Sequence, residues 1–244
     1  MREDADRHRE HEIIDAFVEL ADTLASDFEV GELLTFLVHR CAHILEADVA
    51  GVLLEGPEGT LRLTAATSSA MDDIERAELA SGVGPCIDAY RTCDQVIADD
   101  LSAHADRWPE LVSQLGGFGM HAGFAFPIRL RDRCIGALNL YRRDTGSFAE
   151  DDRRLAQAFA HAAAIGILQE REVNAANLRA AQLQQALDTR VVIEQAKGII
   201  AERHDLTPAQ AFEVIRRHAR SERRKVREVS QELLDGTLAD IPVD

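Results

Sequence analysis

Between Ser147 and Gly198 the chain holds a single glycine, Gly166, and no proline. An alanine-rich stretch without the two residues that punctuate helices is read as one long helix, with Ser147 as its N-cap and Glu150 three residues on. Its apolar positions include Leu155, Phe159, Ala163, Leu168, Val173, Leu178, Leu183 and Leu187. They are frequent enough for a paired helix and too irregular for a strict heptad, so parallel dimerisation is the expectation for this segment. A helix of that length cannot fold back on itself, and it sets the N-terminal part of the chain apart from the C-terminal part.

The whole chain has 244 residues, more than the commonest single-domain size, which favours two modest domains joined by helix. Hydrophobic residues make up 46%, enough for two cores, yet no apolar run reaches membrane-spanning length. The segment Met1 to Glu12 is charged throughout and lacks the pattern of a secretory signal, so a cytoplasmic location is expected. Cys41, Cys86, Cys93 and Cys134 form no Cys-x-x-Cys pair, against both a disulfide framework and a zinc module.

A formal net charge of −16 taken globally would repel nucleic acid, so its distribution decides. From Leu178 to Gly236 eleven Arg or Lys stand against nine Asp or Glu, which leaves this tail at +2 and the rest at −18. Within Ile215 to Glu228, Arg216, Arg217, Arg220, Arg223, Arg224, Lys225 and Arg227 face only Glu222 and Glu228. The tail therefore carries a local basic patch on an acidic protein.

Ahead of the long helix, helical periodicity recurs at Ile13 to Leu24 and at Leu33 to Leu45. Asp48 to Glu55 and Leu61 to Thr67 flank Gly56-Pro57-Glu58-Gly59 and read as a hairpin. Short helices are predicted around Asp72 to Ala80, over Cys86 to Arg91 behind Gly82-Val83-Gly84-Pro85, and over Pro109 to Leu115. Gln95 to Ala98 is a predicted strand, and Ala122 to Leu130 pairs with Cys134 to Tyr141 across Arg131-Asp132-Arg133. Behind the long helix, three short helices are expected. Their apolar faces are Val191, Val192, Ala196, Ile199, Ile200, then Ala211, Phe212, Val214, Ile215, Ala219, then Val226, Val229, Leu233, Leu234. Thr207 caps the second with Pro208 at its first position, and Gly236 closes the third.

The tail resembles the ANTAR family of RNA-binding antiterminator domains of bacterial regulators. Val192-Ile193-Glu194-Gln195-Ala196-Lys197-Gly198-Ile199-Ile200, Leu206-Thr207, Ala211-Phe212, Ile215-Arg216-Arg217 and Val226-x-x-Val229 carry the likeness. Ile200-Ala201 departs from the usual Leu-Met, and Ser221-Glu222 is more polar than usual. This resemblance implies a three-helix domain that works as a homodimer and grips RNA hairpins of a nascent transcript. The stretch Ile13 to Glu170 resembles a GAF domain through Gly84-Pro85-Cys86-Ile87-Asp88-Ala89, Trp108-Pro109, Phe126-Pro127-Ile128 and Ile135-Gly136-Ala137-Leu138-Asn139-Leu140. It implies a six-stranded antiparallel sheet with helices around a small-molecule pocket. The fold expected is thus α+β: a GAF-like domain over residues 10–170, a helical linker over 171–187 and a three-helix domain over 183–236.

RNA binding needs cations against phosphate and planar donors for unpaired bases, and arginine supplies both. The expected RNA-binding residues are Gln195, Ala196, Lys197, Gly198, Arg216, Arg217, Arg220, Arg223, Arg224 and Lys225. Lys197 stands between small residues where a nucleic-acid backbone could approach; a solvated bundle with ordinary surface arginines is the bland alternative. Cys86, Tyr90, Phe126 and Asn139 are the expected pocket residues of the front domain. Cys86 and Cys93 bracket Tyr90, which admits a redox role against the commoner buried-thiol reading. His39 with His43 has metal-ligand spacing, and His104 or His121 could ligate haem, but helix surface and structural histidine are the defaults; no metal is expected, and the cofactor stays unknown at this point. No Gly-x-Ser-x-Gly, no His-Glu-x-x-His, no phosphate-binding glycine loop and no cyclic-nucleotide GAF signature occurs. The reading is a non-enzymatic switch for a small molecule or a redox signal with RNA as output, and its rival is an interaction adaptor that binds no RNA.

Overall fold

The apolar side chains of the central strands point to both faces, so the sheet of the front half must be covered twice. The computed structural model describes residues 2–25, 28–56 and 58–242, and the chain divides into two units, Met1–Arg171 and Glu172–Asp244. In the first, β1 (Val49–Glu55), β2 (Leu61–Ala66), β3 (Val96–Ala98), β4 (Ala122–Leu130) and β5 (Arg133–Arg142) form one antiparallel sheet in the order β2-β1-β5-β4-β3. Among the described residues the sheet has five strands where six were expected; the rest of this unit is helix and turn.

On one face Val52, Phe124, Phe126, Leu138 and Leu140 pack against α1 (Arg2–Ala25), α2 (Val30–Ile44) and the first turns of α6 (Glu150–His204). On the other, Val49, Leu53, Ala125, Ala137 and Tyr141 meet α3 (Ser69–Ser81), α4 (Pro85–Thr92) and α5 (Pro109–Gly117). Trp108 closes this second layer, fully buried, with its Nε1 donating to Asp88 Oδ2 at 2.9 Å. Gly166 is explained by packing: a Cβ there would run into Leu24 and lie 2.8 Å from Leu33 Cδ2, so the ends of these two side chains fill the space that a side chain on α6 would take.

α6 is one unbroken helix of 55 residues. Ser147 does not cap it; the Ala149 carbonyl accepts the Arg153 N–H at 3.0 Å, so the helix begins two residues later than Ser147 predicts. The first of the three expected short helices is the end of α6 itself. Together with α7 (Pro208–Ser221) and α8 (Val226–Asp235) it buries Ala196, Ile200, Ala211, Val214, Ile215, Ala219, Val229 and Leu233 in one small core. Thr207 and Gln210 form a capping box: Gln210 N–H donates to Thr207 Oγ1 at 3.4 Å and Thr207 N–H to Gln210 Oε1 at 3.0 Å. Among the described residues no helix is long and apolar enough to cross a membrane.

Both tight turns of the second unit are closed by a residue in the left-handed region that is not glycine. Asp205 has φ 52° and Arg223 φ 54°. In each, the following N–H reaches back six residues' span: Leu206 N to Ala201 O at 2.9 Å, and Arg224 N to Ala219 O at 2.8 Å. This is the Schellman closure, in which glycine is the usual residue because it lacks the Cβ penalty.

Candidate functional site

The basic patch divides once its neighbours are known. The amphipathic stripe of α7 turns Ala211, Val214, Ile215 and Ala219 inward, which leaves Arg217 and Arg220 on the exposed side and Arg216 at its margin. Arg216 pairs with Glu213 at 2.6 Å. Arg224 lays both guanidinium arms across Glu232, with Nη1 to Oε2 at 2.8 Å, a fork that holds the Glu232 carboxyl below the usual carboxylate range. Arg220, Arg223 and Lys225 are exposed and form no ion pair among the described residues, and the same holds for Arg227. Glu228 is occupied otherwise: its carboxylate accepts the Lys225 N–H at 3.4 Å at the start of α8. The uncommitted cations thus cluster where α7 turns into α8, and the strained Arg223 stands in their midst.

The residues expected on α6 do not share one surface. Gln195 and Gly198 are exposed, and a Cβ on Gly198 would meet nothing within 4 Å, so the helix is bare there. Ala196 corrects the expectation: it is completely buried in the three-helix core, because it lies four residues before Ile200 on the apolar stripe. The Lys197 side chain is only 16% exposed; its ammonium pairs with Glu194 at 2.8 Å and sits 5.8 Å from the Phe212 ring centre. Phe212 is half-buried, and this contact was not foreseen from the sequence.

In the first unit the expected pocket residues separate. Asn139 and Cys86 belong to the layer of α3 and α4, whereas Phe126 pairs in register with Leu138 and faces α1, α2 and α6. Tyr90 is half-buried at the end of α4, where burial and then the charge of Glu55 raise its pKa. What Asn139 and Cys86 surround is a pair of completely buried carboxylates, Glu75 and Glu78. Glu78 Oε1 accepts the Cys86 N–H at 2.6 Å and the Ile87 N–H at 3.2 Å, the free amides of the first turn of α4 behind Pro85. Gly84, with φ 153°, makes room, since a Cβ there would collide with the Glu78 carboxylate. Glu78 Oε2 accepts from Tyr141 Oη at 3.1 Å and from Asn139 Nδ2 at 3.4 Å, and Glu75 Oε1 accepts from Asn139 Nδ2 at 2.9 Å. Among the described residues Glu75 Oε2 and Asn139 Oδ1 have no partner. Burial, and for Glu75 also the facing Glu78, pushes both carboxyls up: Glu75 well above the ordinary range and Glu78 to about 7. Glu78 thus caps α4, and the Glu75 carboxyl beside it is pushed toward its protonated form.

Sequence reasoning missed this pair, although a signal was present. Glu75 and Glu78 stand with Met71 and Ile74 in one i, i+3, i+4, i+7 stripe, the positions a helix buries. The thiols are also redistributed. Cys41 and Cys86 are completely buried, while Cys93 and Cys134 are half-buried, the Cys134 thiol donating to the Gly136 carbonyl at 3.3 Å. His39 and His43 lie exposed on α2, the latter 3.2 Å from Glu12, and His104 stacks on Trp108.

A family model for the GAF domain matches residues 29–168, more than half of the chain, and one for the ANTAR domain matches residues 181–234. A comparison with curated proteins found no match. Among solved structures, the chain is similar to the GAF domain of a phosphoenolpyruvate-protein phosphotransferase from Coxiella burnetii, at 17% identity and TM-score 0.54, covering 68% of this chain and 98% of that one. The corresponding domain from Acinetobacter gives 13% identity and TM-score 0.53 over 66% and 95%. A free methionine-R-sulfoxide reductase from Neisseria meningitidis gives 15% identity and TM-score 0.51 over 66% and 91%. At such identities these likenesses speak for the fold alone. The chain belongs to the GAF domain family, with an ANTAR domain following its GAF domain.

Proposed function

We propose that this chain is a signal-responsive RNA-binding regulator of transcription antitermination, acting in the cytoplasm as a homodimer, with the GAF domain as sensor and the ANTAR domain gripping hairpins of a nascent transcript. The observation that carries the reading is the cluster Arg220, Arg223 and Lys225 at the α7–α8 turn, exposed and, among the described residues, without an ion pair, in a chain of net charge −16. Cations so placed exchange condensed counterions for phosphate contacts, and their guanidinium planes stack on unpaired loop bases. Gln195 and Gly198 offer an exposed, uncluttered stretch of α6 for backbone approach. Arg216, Arg217 and Arg224 take part as flanking charges, and Lys197 contributes its charge from a half-buried stem.

Dimerisation is supported by an apolar series left in solvent along α6: Val173, Leu178, Leu183, Leu187 and Val191, with Leu183 67% exposed. A signal received in the GAF domain changes helix packing in the dimer, and through it RNA affinity, by no more than the signal's preference for one arrangement over the other. The test is titration of the purified chain with a short-loop RNA hairpin across a salt series. The triple variant Arg220→Ala, Arg223→Ala, Lys225→Ala is expected to bind far more weakly, with the log–log salt slope shallower by roughly three. An identical affinity and slope for wild type and variant would instead favour an adaptor that binds no RNA.

A further inference from the structure

Where the β1–β2 hairpin turns, the surface of the first unit opens into a cavity of about 450 Å³, within the range of small-molecule clefts. Glu55, Gly56 and Gly59 of the hairpin line it together with Arg133 at the start of β5 and Arg171 on α6. Cys86, Tyr90, Phe126 and Asn139 lie outside that lining.

Gly59 adopts φ 74°, in the left-handed region, and with Gly56 it leaves bare backbone beneath the cavity. That backbone is already satisfied, since the Gly56 N–H donates to the Thr60 carbonyl at 2.9 Å and the Gly59 N–H to the Gly56 carbonyl at 3.1 Å. Recognition therefore falls to side chains. Arg133 is exposed, Arg171 is half-buried with its Nη2 donating to the Glu55 carbonyl at 3.1 Å, and among the described residues neither forms an ion pair. A third guanidinium, that of Arg62, lies along Gly56, where a Cβ would be 2.9 Å from its Nε. Three arginines thus gather about one carboxylate, Glu55, in a chain of net charge −16.

We propose that this cavity binds a phosphate monoester of a hydroxylated carrier, the class of sugar phosphates and nucleotides. A carboxylate is saturated by a single bidentate guanidinium, whereas a monoester brings three oxygens and about two negative charges, enough for guanidiniums from two elements. The Glu55 carboxylate, which a bare anion avoids, accepts hydroxyl groups of the carrier. The ester joins β5 to α6 through Arg133 and Arg171, and α6 continues into the second unit, so occupancy bears on the helix that leaves the domain. This site goes beyond the sensing role proposed for the GAF domain and lies apart from the cations of the α7–α8 turn.

The experiment is calorimetric titration of the full-length chain, free of RNA, with ribose 5-phosphate, ribose and inorganic phosphate. Ribose 5-phosphate should bind saturably at one equivalent per chain, inorganic phosphate more weakly and ribose not at all. Arg133→Gln should weaken ribose 5-phosphate at least about tenfold, the loss of a charge-assisted contact. Arg131→Gln, at an equally exposed arginine outside the cavity, should match the wild type. Glu55→Gln should narrow the margin by which ribose 5-phosphate exceeds inorganic phosphate. Absence of saturable binding at millimolar ribose 5-phosphate, undiminished affinity in Arg133→Gln, an equal loss in Arg131→Gln, or ribose 5-phosphate no tighter than inorganic phosphate would overturn the proposal. Because RNA takes no part, this outcome is independent of whether the hairpin reading stands.

Discussion

Two helices of similar length, α3 and α7, handle charge in opposite ways. Each has an apolar stripe at helical spacing, Met71 and Ile74 in one, Ala211, Val214, Ile215 and Ala219 in the other. In α3 the stripe is interrupted by Glu75 and Glu78, so the fold drags both carboxyls out of water, and their protonation changes as a result. In α7 the arginines fall beside the stripe, remain hydrated and stay charged. One turn of helix decides whether a charged residue becomes an internal element of the sensor domain or a handle for an anionic partner.

The contrast is broken most directly by Glu78→Ala. Loss of the carboxylate leaves the Cys86 and Ile87 amides and the Tyr141 hydroxyl unpaired in a dry interior, beside a new cavity. Destabilisation of the first unit on the order of 3–5 kcal/mol is expected. The chain has one tryptophan, Trp108, buried in that layer, so its fluorescence in a denaturant titration reports this unit specifically. Arg220→Ala should leave the Trp108 transition where it was.

A pH series sharpens the same point. The carboxyls of Glu75 and Glu78 are raised by folding, so the protonated forms favour the native state and their contribution is full below the ordinary carboxylate pKa of about 4.3. It is lost as pH rises, for Glu78 up to about 7 and for Glu75 beyond the ordinary range too. A raised carboxyl costs at most about 1.4 kcal/mol per pH unit. Trp108-monitored stability of the wild type should therefore fall between pH 5.5 and 7.5, and Glu75→Gln, neutral at every pH, should fall less. His161 is held below its ordinary range by burial and Arg129 and tilts the other way below about pH 6.5, so the difference between the two proteins is the quantity to read. Parallel curves would mean that Glu75 ionises freely and that the buried pair is not what α3 contributes.

Much of this architecture was readable in the residues, for reasons that also mark where reading stopped. β4 and β5 followed from two runs flanking the polar turn Arg131-Asp132-Arg133, and α6 from the absence of breakers, because both are local patterns. The six strands and the joint pocket came from resemblance. Alternation alone would have separated Phe126 from Asn139, since the residue opposite Phe126 is Leu138, one step off. Ala196 was assigned by its small size when its stripe position decided its burial. The carboxylate pair was concealed by the habit of treating Glu as a surface residue, and its partners Asn139 and Tyr141 come from a strand far along the chain, a long-range contact that no spacing encodes.

On the exposed side, Arg223→Gly separates stability from binding. Arginine in the left-handed region costs about 1 kcal/mol relative to glycine, while the Arg224 N–H to Ala219 bond that closes the turn uses backbone alone. The variant should protect the Arg224 amide from hydrogen exchange about fivefold better, yet bind a hairpin more weakly and with a shallower salt slope. Gain of stability with unchanged affinity would make Arg223 a turn residue only and remove it from the RNA surface.

The smallest effect expected is at Lys197. Its stem packs on Phe212 and its ammonium is shared with Glu194, so it resembles the buried glutamates of α3 more than the free cations at the α7–α8 turn. Lys197→Met keeps the stem and deletes the charge. Since a pair of this kind is worth ~0.2–1 kcal/mol, stability should move by less than that, and hairpin affinity by less than about threefold. Arg220→Ala, which breaks no ion pair among the described residues, should cost more affinity than Lys197→Met although both remove one charge. If the two losses are equal, Lys197 leaves Glu194 for phosphate when RNA arrives, and the division between committed and uncommitted cations holds only in the free protein.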